Sequence, residues 1–426
     1  MSGEEVVYRM SSKEKVLLVL SQLFFAAVLI QYNDILTGVI AGLYMLCCVF
    51  FTSFREKWEL IKKRKPILWM VIFFLWVFIS IFTSEDRYEG FRFLDPRLPT
   101  LYFPLTLGLV QASKELKERM LLSIAVIVTL YCAACMIWGI NNYLETKNTA
   151  FLYNDALTVM TDQQSAYISL LVNFSIYIFS WLLFFKNYRY KILLSVGILF
   201  LFGMSYMLAG RSMMIMLYLS VFIFVIYYGL KKKKYLESAA IILSIAIGGF
   251  LGFKFFPDTF NRFKDIIYTK FQYDSQATES HYSNETTADQ WNGANFRLAA
   301  WQCGWELFKQ YPIAGTGLGD KKAKLLEKYK EKNFIIGLRT KRNVHNNYLD
   351  LLLSNGIIGL ALFLIAWYIL PIREMILTRD YLSLLMMTTF FVAMITEVYL
   401  DRSFGGMMFG YFVPLLLIDK NRSQGY

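Results

Sequence analysis

The residue of this sequence best suited to chemistry is His345, one of only two histidines in 426 residues. It lies in Arg342-Asn343-Val344-His345-Asn346-Asn347-Tyr348, between a basic stretch and an apolar one. A neutral imidazole at such a boundary can take a proton from an acceptor hydroxyl near neutral pH. The alternative is a hydrogen-bonded histidine without a chemical role. The basic neighbours favour catalysis, and so does the helix break predicted at Ser354-Asn355-Gly356, because broken helices at membrane depth chiefly line cavities.

Two arginines, Arg211 and Arg297, are predicted to begin helices on the same side of the membrane as His345. A helix N-terminus favours anions, so an arginine there is electrostatically misplaced unless it has a partner. A bound diphosphate would satisfy the guanidinium groups and the free backbone amides together. Arginines that simply extend from helix ends toward water are common, and the residues alone leave both interpretations open.

Other kinds of site find no support in the sequence. Gly315-Thr316-Gly317-Leu318-Gly319 resembles a dinucleotide fingerprint only superficially, because no strand precedes it. There is no Walker motif, no GxSxG elbow and no His/Cys cluster with metal-ligand spacing, so we expect neither a metal nor a cofactor. His281 falls in a polar stretch and is expected to be solvated. Cys132 and Cys135 have CxxC spacing but are expected to be packing residues in an apolar segment.

The elements that must position these residues are membrane-spanning helices. Hydrophobic residues make up 56% of the chain and charged residues 18%. The apolar residues come in blocks of about 18–22, the length that crosses about 30 Å of hydrocarbon. The sequence therefore predicts an all-α, polytopic transmembrane bundle of about 12 helices. The predicted segments are 16–31, 35–53, 67–83, 99–112, 119–142, 165–185, 190–209, 211–229, 236–255, 346–370, 380–399 and 405–418.

The distribution of Lys and Arg predicts the orientation in an inner-membrane-type bilayer. Basic residues cluster in alternate connections, which by the positive-inside rule places both termini in the cytoplasm. The exception follows the third segment, where acidic neighbours offset Arg87, Arg92 and Arg97. The net charge of +12 thus indicates membrane orientation and not nucleic-acid binding. We divide the chain into N-terminal helices (1–255), a large periplasmic loop (256–345) and C-terminal helices (346–426).

The loop is predicted to contain an amphipathic helix over Phe296–Phe308, lying on or near the membrane. Its apolar residues at 298, 301, 305 and 308 follow a helical period. There is no nucleotide pool outside the cytoplasm, so a transferase there must use a donor that is already activated. A lipid-linked sugar diphosphate is the obvious supply.

The stretch from His345 to Leu360, HNNYLDLLLSNGIIGL, resembles the signature of the O-antigen ligase and polymerase superfamily. In that signature a His-Asn pair leads into a leucine-rich turn and a Gly-[LI]-[IL]-Gly sequence. Arg297 with its Leu-Ala-Ala-Trp run, then Tyr311–Gly319, resembles the stretch before the family's histidine. Arg211, in Leu208–Ser212, is similar to the family's arginine at the start of a central helix. Glu397–Arg402 resembles a shorter motif of some members, in which a glutamate often occupies the place of Asp401.

The resemblance implies a metal-independent, inverting glycosyltransferase, most like an O-antigen ligase. It would move a glycan from an undecaprenyl-diphosphate carrier to an acceptor hydroxyl, with His345 as general base and with Arg211 and Arg297 binding the diphosphate. The acceptor would be lipid A–core in a ligase, another carrier-linked unit in a polymerase, and a protein Ser or Thr in an oligosaccharyltransferase. A transporter or flippase of lipid-linked sugars is a more distant alternative, because the candidate residues gather at one face and not at the bilayer midplane.

Overall fold

The fold is helical throughout the part of the chain that the computed structural model describes, which is residues 10–31, 33–186, 188–255, 263, 269–278 and 290–419. Over these ranges there is no strand, only an isolated bridge between Ala112 and Asp419. Eight helical segments within them are long and apolar enough to cross a membrane. The predicted all-α, polytopic bundle is therefore confirmed. The count of 12 and the three-part division of the chain stay predictions, and His281 and both chain ends lie outside the described ranges.

The bundle is formed by long helices and by several shorter ones that pack between or beside them. The long helices are α1 (Ser12–Ile30), α2 (Asp34–Phe51), α4 (Lys65–Phe82), α7 (Lys114–Thr146), α9 (Ser165–Phe185), α10 (Lys191–Leu208), α11 (Arg211–Lys232), α12 (Tyr235–Phe255), α16 (Asn347–Leu364), α18 (Tyr381–Thr396) and α19 (Ser403–Leu417). The shorter ones are α3 (Phe54–Lys63), α5 (Arg87–Leu94), α6 (Pro99–Leu105), α8 (Asn154–Thr158) and α17 (Leu370–Leu377). The loop contributes α13 (Gly293–Gln310), α14 (Lys321–Glu331) and α15 (Ile335–Thr340).

Side-chain caps mark where polar connections end and apolar helices begin. The Asn33 side chain accepts a hydrogen bond from the Leu36 amide at 3.0 Å at the start of α2, and Ser113 accepts one from Leu116 at 3.1 Å at the start of α7. Each cap satisfies an amide that the first helical turn leaves without a partner. The polar connections of the sequence thus determine where these helices start.

The fourth predicted segment, 99–112, is not a continuous span. It divides into α6 and a 3-10 turn at Leu107–Leu109, with Pro104 inside the short helix. Proline lacks the amide hydrogen that a regular helix needs at this point. Arg64 holds the end of the segment, where its guanidinium donates to the Val110 carbonyl at 2.9 Å. This segment therefore packs inside the bundle as a short broken helix and does not cross the membrane as one continuous helix.

Helix α16 is broken at Gly356, as the sequence predicts. Gly356 has a φ of +64°, a conformation that glycine adopts without the strain of a side chain. The glycine-rich turn after α13 closes against this break: the Thr316 amide donates to the Leu353 carbonyl at 2.7 Å and the Gly317 amide to Ser354 at 3.1 Å. The carbonyls released by the break are thereby satisfied. The Gly-x-Gly-x-Gly run therefore has a structural role, which is to hydrogen-bond the broken part of α16.

The loop has a hydrophobic core of its own, centred on Trp291, Phe296, Phe334 and the buried face of α13. The amphipathic helix is present, but its buried face differs from the predicted one. The predicted face includes Trp305, which is half exposed, whereas the positions that are fully buried are 296, 299, 300, 303, 304 and 307. The loop core continues onto Leu349, Leu352 and Leu353 of α16. This continuity fixes the loop over the end of the bundle from which His345 projects, called here the loop face.

Candidate functional site

The Glu397 carboxylate lies at the centre of the loop face and joins two of the three residues singled out in the sequence. Its oxygens lie 3.1 and 3.3 Å from Nδ1 of His345. One of them also accepts a hydrogen bond from Nη2 of Arg297 at 3.0 Å. The three side chains are only about a fifth to a quarter exposed, so solvent reaches the cluster from one side. The result is a half-buried His–Glu–Arg cluster.

Two asparagines on either side of His345, Asn343 and Asn346, hold the backbone that presents the imidazole. The His345 amide donates to the Asn343 side chain at 3.0 Å, which bends the chain so that His345 has a φ of +46°. Asn346 then caps α16 by accepting hydrogen bonds from the amides of Tyr348 and Leu349, both at 3.0 Å. Such a turn directly before a capped helix holds the histidine at a fixed point.

Asn347 ties this segment to the one that carries the carboxylate. Its side-chain oxygen accepts a hydrogen bond from the Leu400 amide at 3.1 Å. Asn347 itself is buried. The turn that presents His345 and the turn that presents Glu397 are therefore fastened together, although 52 residues separate the two side chains.

Arg297 is held firmly but does not begin its helix, contrary to the sequence prediction. Helix α13 begins at Gly293, after a capping box formed by Asn292 and Asn295. Arg297 lies one turn further on, where Nη1 donates to the Gly293 carbonyl at 2.7 Å and Nε to the Thr396 carbonyl at 3.2 Å. The apolar period of the sequence starts only at Phe296, so it does not reveal the cap that Asn292 supplies one turn earlier. Arg297 therefore faces the His–Glu pair and not a free helix end.

Arg211 begins α11 as predicted, directly after Gly210. Its neighbour Ser212 makes a hydroxyl–hydroxyl hydrogen bond to Thr396 at 3.1 Å. Thr396 is also the residue whose carbonyl accepts from Arg297, and it precedes Glu397 in the chain. A side chain at Gly210 would collide with Ser169, its Cβ lying 2.7 Å from the hydroxyl oxygen, so glycine allows α11 to start this close to α9. The N-terminus of α11 thus lies beside the cluster.

The electrostatics of the cluster keep Glu397 ionised. Burial alone raises the pKa of this carboxyl, but the hydrogen bond and charge of His345 and the charge of Arg297 outweigh it and hold the pKa at about 2. An ionised carboxylate can only accept hydrogen bonds, so Nδ1 of His345 must carry a proton. The lone pair of the neutral imidazole is then on Nε2. A histidine oriented in this way can act as a general base toward a hydroxyl.

The segment 397–402 resembles a family motif in which the place of Asp401 is singled out. The side chain that reaches His345 is instead Glu397, four residues earlier. The sequence does contain a signal, because Glu397 is an ionisable residue near the end of the predicted apolar segment 380–399. Among the described residues, no three His, Cys, Asp or Glu side chains group closely enough to hold a metal ion.

The comparisons with known proteins give a match to a family model. Residues 199–364 match the family model described as O-antigen ligase. No curated protein sequence matches the chain. The matched segment, about two fifths of the chain, contains Arg211, Arg297 and His345 and ends after the break in α16, whereas Glu397 lies outside it. The match confirms the resemblance to the O-antigen ligase superfamily.

Proposed function

We propose that this chain, whose residues 199–364 match the O-antigen ligase family, transfers a glycan from an undecaprenyl-diphosphate carrier to an acceptor hydroxyl. We take lipid A–core as the acceptor, and the periplasmic face of a bacterial inner membrane as the place of transfer. The observation that carries the proposal is the pairing of Nδ1 of His345 with the Glu397 carboxylate, 3.1 Å apart beside Arg297. This arrangement leaves Nε2 free for an acceptor hydroxyl at a membrane boundary.

The reaction follows from these groups. Nε2 of His345 takes the proton of the acceptor hydroxyl while its oxygen attacks the anomeric carbon of the glycan. The bond from that carbon to the diphosphate oxygen breaks, and its electron pair leaves with the diphosphate, so the anomeric centre is inverted. Glu397 stabilises the imidazolium that forms, as a carboxylate does in other histidine-based sites. Arg211 and Arg297 stabilise the charge that grows on the leaving group.

Arg297 can serve both Glu397 and a diphosphate. A guanidinium has five N–H donors, and the contacts to Glu397, Thr396 and Gly293 engage three of them. A fork with donors left over can bind phosphate oxygens without releasing the carboxylate. The carboxylate in turn fixes the position of the fork before the donor arrives, which lowers the entropic cost of binding.

A cavity inside the bundle, further along α11 from Arg211, supports a donor that is carried on a lipid. It measures about 510 Å³ and is lined by apolar and aromatic side chains of α9, α10, α11 and α12. Its lining on α11 extends from Tyr218 to Val225, about 10 to 21 Å along the helix axis below Arg211. A lipid whose diphosphate lies at Arg211 can therefore place its chain in this cavity. The glycines Gly203 and Gly248 also line it, and a Cβ added at either would meet no atom within 4 Å.

We expect two substitutions to weaken donor use in different ways. Arg211→Gln should raise the donor KM by about 10- to 100-fold, the effect of losing charge-assisted hydrogen bonds worth roughly 1.5–3 kcal/mol. It should do so equally for an undecaprenyl donor and for an analogue that carries a single isoprene unit, because both carry the diphosphate.

Gly248→Phe should raise the donor KM about 10-fold for the undecaprenyl donor alone, since the added ring fills the space of the lipid chain. Initial rates with both donors measure these effects.

Matched controls separate these effects from general damage. Gly42→Phe adds the same ring to α2, also at a position where a Cβ meets no atom within 4 Å, and should leave both KM values unchanged. Arg92→Gln is the matched control for Arg211→Gln, because it removes a surface arginine, one that pairs with Glu89. If Gly248→Phe affects both donors alike, the cavity does not hold the carrier chain. If donor binding is unchanged in Arg211→Gln, Arg211 does not bind the diphosphate.

Reconstitution tests the function itself and the choice of acceptor. The purified chain in liposomes is supplied with an undecaprenyl-diphosphate-linked glycan and, in separate samples, with lipid A–core, a second carrier-linked unit or a Ser/Thr-containing acceptor protein. We expect product only with lipid A–core. Product with the second unit alone would indicate a polymerase, and product with the protein alone an oligosaccharyltransferase. Movement of intact donor across the bilayer without any product would indicate a flippase.

A further inference from the structure

Four charged side chains form a second cluster under the loop face, separate from His345 and Glu397. Nζ of Lys321 lies 2.7–2.8 Å from both oxygens of Asp350 and both oxygens of Asp401. Nη2 of Arg97 lies 2.9 Å from Asp350 and 2.8 Å from Asp401. The four side chains are between 1% and 7% exposed. Two cations and two anions therefore compensate one another inside the protein.

The two aspartates stand at matching places relative to the His–Glu pair. Asp350 lies in the first turn of α16, five residues after His345, and Asp401 lies four residues after Glu397. Lys321 bridges the two aspartates directly. The cluster thus fixes the separation of the two chain segments that present the base and its carboxylate.

The two cations come from different parts of the chain and join the loop to the bundle. Lys321 begins α14 in the loop, and its neighbour Asp320 accepts hydrogen bonds from the amides of Glu85 and Asp86, at 2.8 and 3.0 Å. Arg97 belongs to the same connection between α4 and α6 that departs from the positive-inside count. Its buried pairing accounts for its place in that connection. The loop therefore packs against this connection between α4 and α6.

From this geometry we infer that Lys321, assisted by Arg97, is a positioning residue for the transfer reaction. Lys321 sets the distance between His345 and Glu397 through Asp350 and Asp401, without touching the substrate. The inference rests on the proposed function for its kinetic consequences, but the geometry that it concerns can be measured without turnover. Lys321 makes four contacts with the aspartates and Arg97 makes two, so Lys321 is the residue to test.

The test compares a single variant with a charge-balanced double variant. Lys321→Met leaves an uncompensated buried anion and should lower the thermal unfolding midpoint. Lys321→Met/Asp401→Asn removes one cation and one anion and should recover most of that stability. We expect kcat of the double variant to stay about 10²-fold below wild type, the cost of misplacing a catalytic group by about 1 Å, with the donor KM unchanged. Lys321→Arg, which keeps the charge, should recover part of kcat.

A spectroscopic readout makes the outcome independent of glycan transfer. The chain has two histidines, so ¹⁵N-histidine spectra of an otherwise unlabelled His281→Ala protein report on His345 alone. The Nδ1–H resonance that marks the bond to Glu397 should shift in the double variant. It should keep its wild-type position in the control Lys322→Met, because Lys322 is the exposed residue next to Lys321. Recovery of kcat together with stability in the double variant, or an unchanged Nδ1–H resonance, overturns the inference. A wild-type protein that keeps this resonance but transfers no glycan instead overturns the proposed function.

Discussion

Replacing His345 with alanine is expected to reduce glycan transfer by about 10³-fold, the contribution typical of a general base. Among the described residues, His345 is the group that pairs with Glu397 and can take the acceptor proton, and the variant lacks it. The side chain is partly exposed and meets the loop core edge-to-face at Phe296, with ring centroids 6.0 Å apart, so the variant should insert in the membrane with at most a small loss of stability. Single-turnover assays with purified protein and carrier-linked glycan measure the change. Donor KM should stay near the wild-type value, because the arginines remain.

Two further variants define what this loss means. His345→Asn is the better-matched replacement, since asparagine tolerates the positive φ of this position more readily than alanine. His281→Ala removes the other histidine and should leave transfer unchanged, in line with its expected solvated state. If purified His345→Asn transfers glycan at the wild-type rate, His345 is not the base. Loss of activity in His281→Ala would equally contradict the assignment of a single catalytic histidine.

The parts of the site that could be predicted from sequence are those encoded over a few neighbouring residues. The turn at His345 follows from the asparagines around it, and the break in α16 follows from Gly356. The start of α11 at Arg211 follows from Gly210 in the same way. Each of these features depends on backbone preferences that a short stretch of sequence carries by itself.

The partners of those residues could not be predicted, because they are brought together by packing alone. Glu397 lies 52 residues from His345, and Arg97 lies 253 residues from Asp350. No periodicity in the sequence reports such distances. A charged residue at a helix end looks the same whether it faces water or an ion pair, so the sequence does not identify the partners of Glu397 and Arg97.

The buried face of α13 shows how a hydrophobic pattern can select the wrong side of a helix. The prediction weighted the bulky Trp301 and Trp305, whereas the buried side uses Ala299, Ala300 and Gly304. A Cβ on Gly304 would already lie 3.0 Å from side-chain atoms of Val344 and Leu349. Small residues permit this close approach, and close packing stabilises a helix as bulk does. The prediction of a helix is therefore confirmed, but the close approach that small residues allow determines which of its faces is buried.

Replacing Glu397 with glutamine is expected to lower kcat by on the order of 10³- to 10⁴-fold, the range that loss of the anion costs in a histidine–carboxylate pair. The amide group of glutamine can donate to Nδ1, which would move the proton to Nε2 and remove the base. It also cannot stabilise the imidazolium that forms. Arg297 keeps its contacts to Thr396 and Gly293, so the donor KM should not rise. Glu306→Gln, which breaks a surface pair with Lys332, is the matched control and should retain full activity.

The pH dependence tests the same assignment from another side. The pKa of Glu397 is held at about 2, well below its ordinary value of 4.5, so wild-type kcat should show no step from this group between pH 4 and 9. A depressed carboxyl pKa stabilises the folded state above pH 4.5, and this contribution is lost as the pH falls toward 2. Thermal unfolding midpoints measured from pH 7 to pH 3 should therefore fall more steeply for wild type than for Glu397→Gln. Equal slopes, or a glutamine variant with wild-type kcat, would contradict the role given to this carboxylate, because both effects arise from the charge that glutamine lacks.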